Sequence, residues 1–176
     1  GPALFASWSD PGIALPVHDL AVGSGGLLAL AAFELAMAFA ARGRIRRSVA
    51  SPGWRRWGVV VVEITAASAF MAMVATAIDP VLGLTGPPVL APLLFVALTV
   101  LYLDPRLSLF AGVLAAAQMH GLNVAFADVL AASASDMGPL LDGASTAFRA
   151  STPMAAGACT ALLANEIKLR LWEAVA

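Results

Sequence analysis

The stretch LYLDPRLSLF, residues 101–110, places Asp104, Pro105 and Arg106 between two long apolar runs. An aspartate directly before a proline is typical of a helix start. The carboxylate caps the first free N–H groups, and proline suits the first helical turn. The stretch therefore predicts a tight turn between two buried helices, with Arg106 among lipid headgroups. We interpret it as a turn at a membrane surface.

The composition of the whole chain agrees with a membrane setting. The 176 residues are 60% hydrophobic and only 12% charged, and the mean hydropathy is +0.87. Soluble domains carry about 25% charged residues, so this chain has too few polar groups to cover a globule in water. The net charge of −1 argues against a nucleic-acid partner. The composition predicts one integral membrane domain.

Long apolar runs predict an all-α polytopic transmembrane helix bundle rather than a β-barrel, because no run shows strand-like alternation. Five runs are long enough to cross a bilayer: 19–41, 58–78, 87–103, 107–130 and 144–169. Residues 1–18 are predicted to be an outer segment or the remnant of a preceding span. Gly1-Pro2 is typical of a protease-cleavage remnant, so a sixth span is expected in a longer parent polypeptide.

The positions of the basic residues predict the orientation. Six arginines lie between the first two spans: Arg42, Arg44, Arg46, Arg47, Arg55 and Arg56. The connections predicted at 79–86 and 131–143 carry no Lys or Arg, whereas Lys168 and Arg170 follow the last span. The positive-inside rule then predicts an outside N-terminus and a cytoplasmic C-terminus.

Two carboxylates lie inside predicted spans, where ionisable groups are costly and are functional candidates by default. Glu34 in span one and Glu63 in span two are expected at similar depth. They could share a proton, or one could pair with Arg42 or Arg44. The alternative is that each only holds neighbouring helices together by hydrogen bonds.

A second polar cluster is predicted toward the outer side of the bundle. It consists of His120, Asn123, Asp128 and Arg149. The spacing of three puts His120 and Asn123 on one helical face, and an ion pair between Asp128 and Arg149 is expected. The cluster could line a ligand pocket, or its members could only bond helices together. No haem, retinal, zinc or dinucleotide motif is found, so no cofactor is predicted for this chain.

The last predicted helix has no glycine or proline near its end, so it is expected to continue into the cytoplasm as a signalling helix over 170–176. Its polar and apolar residues alternate as in a helix that leaves a membrane. We predict a signal-output segment formed by Glu166, Ile167, Arg170 and Ala174. Small residues such as Gly112 and Ala116, one helical turn apart, predict close helix packing or dimerisation.

Three stretches carry a family resemblance: 54–65 with its Trp-Arg-Arg-Trp and Glu63, 86–112 with the Asp104-Pro105-Arg106 turn, and the final helix with its basic exit. With these, the chain resembles the membrane domain of bacterial class III adenylate/guanylate cyclases. The resemblance covers most of 19–176. It implies six spans, a bacterial inner-membrane location and a homodimer. It also implies a downstream catalytic domain that binds ATP and a divalent metal.

The catalytic residues of that family are absent from this sequence, so the resemblance implies an anchor, dimerisation and regulatory domain rather than an enzyme. A small lipophilic or extracytoplasmic ligand could act on the outer cluster. Three alternatives remain. The same module could serve another signalling enzyme, the intramembrane Glu34, Glu63 and His120 could belong to a small transporter or channel, or His120 and a carboxylate could belong to a membrane enzyme.

Overall fold

The computed structural model describes residues 21, 24–26, 28, 29, 31–33, 36, 53–137 and 143–175. Every regular element in these ranges is helical, which confirms the predicted all-α class. The helices are α1 (Ser24–Phe33, described in part), α2 (Gly53–Ala77), α3 (Pro80–Thr85), α4 (Leu90–Leu98), α5 (Pro105–Ala125), α6 (Ala127–Met137) and α7 (Gly143–Val175). Short 3-10 turns, Pro87–Val89 and Thr99–Tyr102, flank α4.

Three helical segments are long and apolar enough to cross a membrane: Gly53–Ala77, Pro80–Tyr102 and Pro105–Ala125. They correspond to the second, third and fourth predicted spans and indicate a membrane protein. α7 is longer, but the polar residues near its start, such as Arg149 and Ser151, make it less apolar than these three. Most of the first predicted span, Glu34, Arg42–Arg47 and residues 1–18 lie outside the described residues.

The predicted turn at Asp104 is confirmed. The Asp104 carboxylate accepts a hydrogen bond from the N–H of Arg106 at 3.1 Å, and Pro105 opens α5. Leu103 takes a left-handed conformation with φ of 51°, which reverses the chain after the preceding 3-10 turn. A non-glycine residue in this region is strained by Cβ contacts.

The predicted connection at 79–86 is wrong over most of its length, because Pro80–Thr85 is helical. Asp79 caps α3 by accepting a hydrogen bond from the N–H of Leu82 at 2.8 Å, and Pro80 occupies the first turn. This is the same Asp-Pro start signal as at Asp104. The third span therefore begins at Pro80, earlier in the chain than predicted. Its helix is interrupted at Gly86, which has an extended backbone and is followed by two prolines.

The predicted connection at 131–143 is also partly wrong. α5 ends at Ala125, Phe126 leaves helical geometry, and α6 then runs through Met137. Alanine-rich sequence favours the helix here. The fourth span is thus shorter than the predicted 107–130.

Two side-chain contacts fix the relative direction of α2 and α5. The Trp57 and Phe110 rings meet edge to face with centroids 5.0 Å apart, and Gln118 bonds Thr65 at 3.0 Å. Both pairs are separated by 53 positions, so α2 and α5 run parallel. Their shared core includes Ile64 and Leu107, both fully buried.

α7 runs antiparallel to α5. A Cβ atom added to Gly157 would meet the carbonyl oxygen of Ser108 at 2.8 Å, whereas one added to Gly112 would meet that of Pro153 at 2.7 Å. The C-terminal end of α7 therefore lies at the same end of the bundle as the N-terminal ends of α2 and α5. We call this the basic end, because it carries Arg55, Arg56, Arg106, Lys168 and Arg170. Asp79 lies at the opposite end of α2.

Candidate functional site

The backbones of α5 and α7 come very close where the two helices cross, and we call this crossing the α5–α7 seam. At its centre a Cβ atom added to Gly112 would lie 2.8 Å from the Cα atom of Gly157, and one added to Gly157 would lie 2.7 Å from the Cα atom of Gly112. Real side chains do not tolerate such distances. Glycine at both positions therefore lets the two backbones touch, which in membranes increases van der Waals packing between helices.

The seam can be followed toward the end opposite the basic end. Asn123 and Thr146 are each eleven positions from Gly112 and Gly157, respectively. Eleven residues are about three helical turns, so these two residues return to the faces on which the glycines meet. Asn123 is buried and Thr146 is half-buried. The seam therefore carries polar side chains at this end.

His120 and Arg149 lie at the same height along the seam. His120 is eight positions from Gly112 and Arg149 is eight positions from Gly157, about 12 Å along each helix. His120 is exposed, however, while Asn123 is buried. The spacing of three thus does not give the two side chains a common environment. Arg149 is half-buried and its Nη2 donates to Thr146 Oγ1 at 3.4 Å.

Asp128 lies exposed in the first turn of α6. The expected ion pair between Asp128 and Arg149 is not among the contacts that the structure describes for these two side chains. The break at Phe126 explains this, because it separates Asp128 from the straight course of α5. Two members of the predicted outer cluster thus lie at the seam: Asn123 is buried there, and Arg149 bonds Thr146. The other two, His120 and Asp128, are exposed at the surface.

Of the two carboxylates predicted to lie inside the membrane, the structure describes Glu63, which is half-buried on α2. It lies about two turns after Trp57 and so belongs to the half of the bundle near the basic end. Glu34 lies outside the described residues, so a shared proton between the two carboxylates stays a prediction.

Sequence reasoning missed two polar contacts between helical elements. Gln118 Nε2 donates to Thr65 Oγ1 at 3.0 Å and joins α5 to α2. Thr99 Oγ1 lies 2.6 Å from the carbonyl oxygen of Val96 and 2.9 Å from Ser108 Oγ. The threonine hydroxyl can donate to the carbonyl while accepting from Ser108. A polar residue isolated in an apolar helix was the available signal for both.

The predicted output residues lie where α7 leaves the bundle. The side of α7 that is buried against the other helices ends at Ala164, and Ile167 is half-buried. From 168 to 175 every residue is exposed. Arg170 Nε donates to Glu166 Oε1 at 2.8 Å in an exposed i, i+4 ion pair. Ala174 is exposed, so this last part of α7 has no packing partner among the described residues.

No group of three His, Cys, Asp or Glu side chains in the described ranges is arranged to hold a metal ion. Comparison with known proteins finds no matching family model, no similar curated protein and no similar solved structure. The geometry of the site consists of a close helix crossing, polar groups at one end of it and an exposed helix at the other.

Proposed function

We propose that this chain is the membrane anchor, dimerisation and regulatory domain of a bacterial class III adenylate cyclase, and that it passes signals to a cytoplasmic catalytic domain following residue 176. The observation that carries the proposal is the length and exposure of α7. Its 33 residues extend about 50 Å, whereas the hydrocarbon core of a bilayer is about 30 Å thick. The exposed part, 168–175, is suited to transmit a movement of the bundle.

The distribution of charge supports the orientation in this proposal. The basic end brings arginines of α2 and α5 together with Lys168 and Arg170 of α7. Basic residues concentrate on the cytoplasmic side of inner-membrane proteins. Exposed Trp54, at 75% of its free area, suits the interface there. In this proposal the five predicted spans end at a cytoplasmic C-terminus, so the first of them is entered from the outer side.

The α5–α7 seam supplies a physical route for regulation. A ligand near Asn123 and Arg149 would act on the helix that leaves at the basic end, because Gly112 and Gly157 hold α5 and α7 in contact. A ligand shifts such an equilibrium only by binding two arrangements with different affinity. We assign this ligand to the small lipophilic or extracytoplasmic class, with His120 and Asp128 at the rim of its site. ATP and the divalent metal belong to the catalytic domain.

The test is cyclic AMP production from ATP by the native parent polypeptide, purified in detergent, with and without residues 1–176. Cyclase activity that falls or loses its modulation on deletion supports the proposal. An intact parent without cyclase activity contradicts the cyclase assignment and favours the sensor domain of another signalling enzyme.

A small transporter is the second candidate, and the half-buried position of Glu63 within an apolar helix favours it. Proton or solute flux in liposomes containing the purified chain distinguishes the two. Flux that depends on Glu63 would move the transporter ahead of the regulatory domain, whereas liposomes as tight as protein-free ones would remove it.

A further inference from the structure

Two buried polar atoms where α2 meets α5 have no hydrogen-bond partner among the residues that the structure describes. They are the hydroxyl oxygen of Ser68 and the side-chain oxygen Oε1 of Gln118. Ser68 is only 7% exposed. Buried polar atoms are nearly always hydrogen-bonded, because an unpaired one has lost its bond to water without a replacement. The two atoms therefore indicate a missing partner.

The contact between Gln118 and Thr65 brings these two atoms near each other. Gln118 Nε2 donates to Thr65 Oγ1 at 3.0 Å, so Oε1 of the same amide group also lies beside α2. Ser68 is three positions after Thr65 and shares its side of α2. Because α2 and α5 run parallel with an offset of 53 positions, Ser68 lies at the height of Gly121.

Gly121 leaves open space at this height. A Cβ atom there would meet nothing within 4 Å, and Gly121 and Thr65 are both exposed. Gly121 is three positions after Gln118 and shares its side of α5. These residues form a recess that opens toward the side of the bundle. We call it the α2–α5 notch, and its four residues are Thr65, Ser68, Gln118 and Gly121.

The notch lies about halfway along both helices. Thr65 is the central residue of α2, and Gln118 lies within one turn of the centre of α5. Both helices are long and apolar enough to cross a membrane, which puts the notch near the middle of the hydrocarbon. A charged group is costly there, and acyl chains offer no hydrogen bond to the two unpartnered atoms. The partner that fits is uncharged and mostly apolar.

We infer that the α2–α5 notch binds an uncharged lipophilic molecule through a hydroxyl group. Gln118 Oε1 can only accept a hydrogen bond, so the bound molecule has to donate one. A hydroxyl group donates to this oxygen and still accepts from the hydroxyl of Ser68. An ester, a ketone or an ether only accepts, and would leave Gln118 Oε1 unpaired. The open space at Gly121 accommodates the carbon chain next to the hydroxyl group.

This site is separate from the polar end of the α5–α7 seam. Asn123, which is buried at the seam, is five positions after Gln118 and therefore about 140° away around α5. The inference goes beyond the proposed function, because binding at the notch does not require a cyclase domain or any other particular output.

Photolabelling with a diazirine derivative of octanol tests the site. The purified chain is reconstituted in phosphatidylcholine liposomes and irradiated with the probe, and labelled residues are mapped by mass spectrometry. We expect labels on α2 and α5 around the notch. The methyl ether of the same probe keeps its size and apolar chain but cannot donate a hydrogen bond, so it should label these positions several-fold less.

Three variants change the notch and one serves as a control. S68A and Q118L each remove one bonding group, whereas G121L keeps both groups and fills the open space. Each should lower labelling by the alcohol probe several-fold. T76V is the matched control, because Thr76 lies about three turns from Thr65 on the same side of α2. Its hydroxyl bonds carbonyl groups of its own helix, so T76V should label like the unchanged chain.

Equal labelling by the alcohol and its methyl ether would overturn the inference, because the probe would then report only its partition into lipid. Labelling that is unchanged in S68A, Q118L and G121L would do the same. An absence of labels at the notch would also overturn it, and would leave Ser68 and Gln118 to a water molecule or to another helix.

Discussion

Gly112 and Gly157 face each other so closely that a Cβ atom on either would come within 2.8 Å of the other's Cα atom. This contact joins α5, which begins at the capped Asp104 turn, to α7, which leaves the bundle at the basic end. The relative position of these two helices is therefore set by backbone contact, with little room for adjustment by side chains.

Enlarging either glycine should separate the two helices. We expect G157A to lower the free energy of unfolding by about 1–3 kcal/mol, the usual cost of an overpacked contact. The measurement is thermal or denaturant unfolding of the purified chain in detergent. The matched control is G121A, because a Cβ atom at Gly121 on α5 would meet nothing within 4 Å. Equal stability of G157A and G121A would contradict the close crossing.

The hydrogen bond between Gln118 and Thr65 should couple α5 to α2. A double-mutant cycle with Q118L and T65V should give a coupling free energy of about 0.6 kcal/mol, the average for such bonds between membrane helices. Thr76 provides the control, because its hydroxyl bonds carbonyl groups of its own helix. Coupling of Q118L to T76V as large as that to T65V would show that the cycle does not report the bond.

The Asp104 cap should contribute measurably to stability. D104A removes the acceptor for the N–H of Arg106 and should cost about 1 kcal/mol, whereas D104N should retain most of the stability because asparagine caps as well as aspartate. Unfolding of the two variants side by side is the measurement. Equal losses for both would indicate that the negative charge matters and the hydrogen bond does not.

The Asp104 turn could be predicted because its signal is local: a capping carboxylate, a proline and apolar runs on both sides. The same signal is present at Asp79, but the glycines and prolines that follow it favour a connection and obscure the short helix α3. Helix α6 escapes prediction because Phe126 interrupts an apolar run without any glycine or proline. Local pattern alone does not show such a break.

The site was harder to predict than the helices. Periodicity tells which residues share a helical face, but it does not tell which helix that face meets. The buried position of Asn123 and the exposed one of His120 follow from α7 packing on one side of α5. Likewise, Gly112 contacts Gly157, which is 45 residues away in sequence. No local feature of the α5 sequence identifies this partner.

Replacing Arg149 tests the polar end of the seam. Arg149 is half-buried and bonds Thr146. Under the proposed regulatory function, R149A should reduce the range over which this domain modulates cyclic AMP production by the parent polypeptide. R149K, which keeps the charge, should lose less. R106A removes an exposed arginine from the other end of α5 and is the control for charge removal. Modulation unchanged in R149A would exclude Arg149 from the regulatory site.

The proposed function depends above all on α7 passing a signal from the membrane bundle to a cytoplasmic cyclase domain. The sharpest test is cyclic AMP production by the parent with alanines inserted after Val175. Two inserted residues turn the following helix by about 200°, and seven bring it back to within about 20° of its original phase. We predict that the two-residue insertion disturbs activity or its modulation and that the seven-residue insertion restores it. Activity and modulation unchanged by either insertion would mean that α7 is a passive tether, and would contradict the proposal.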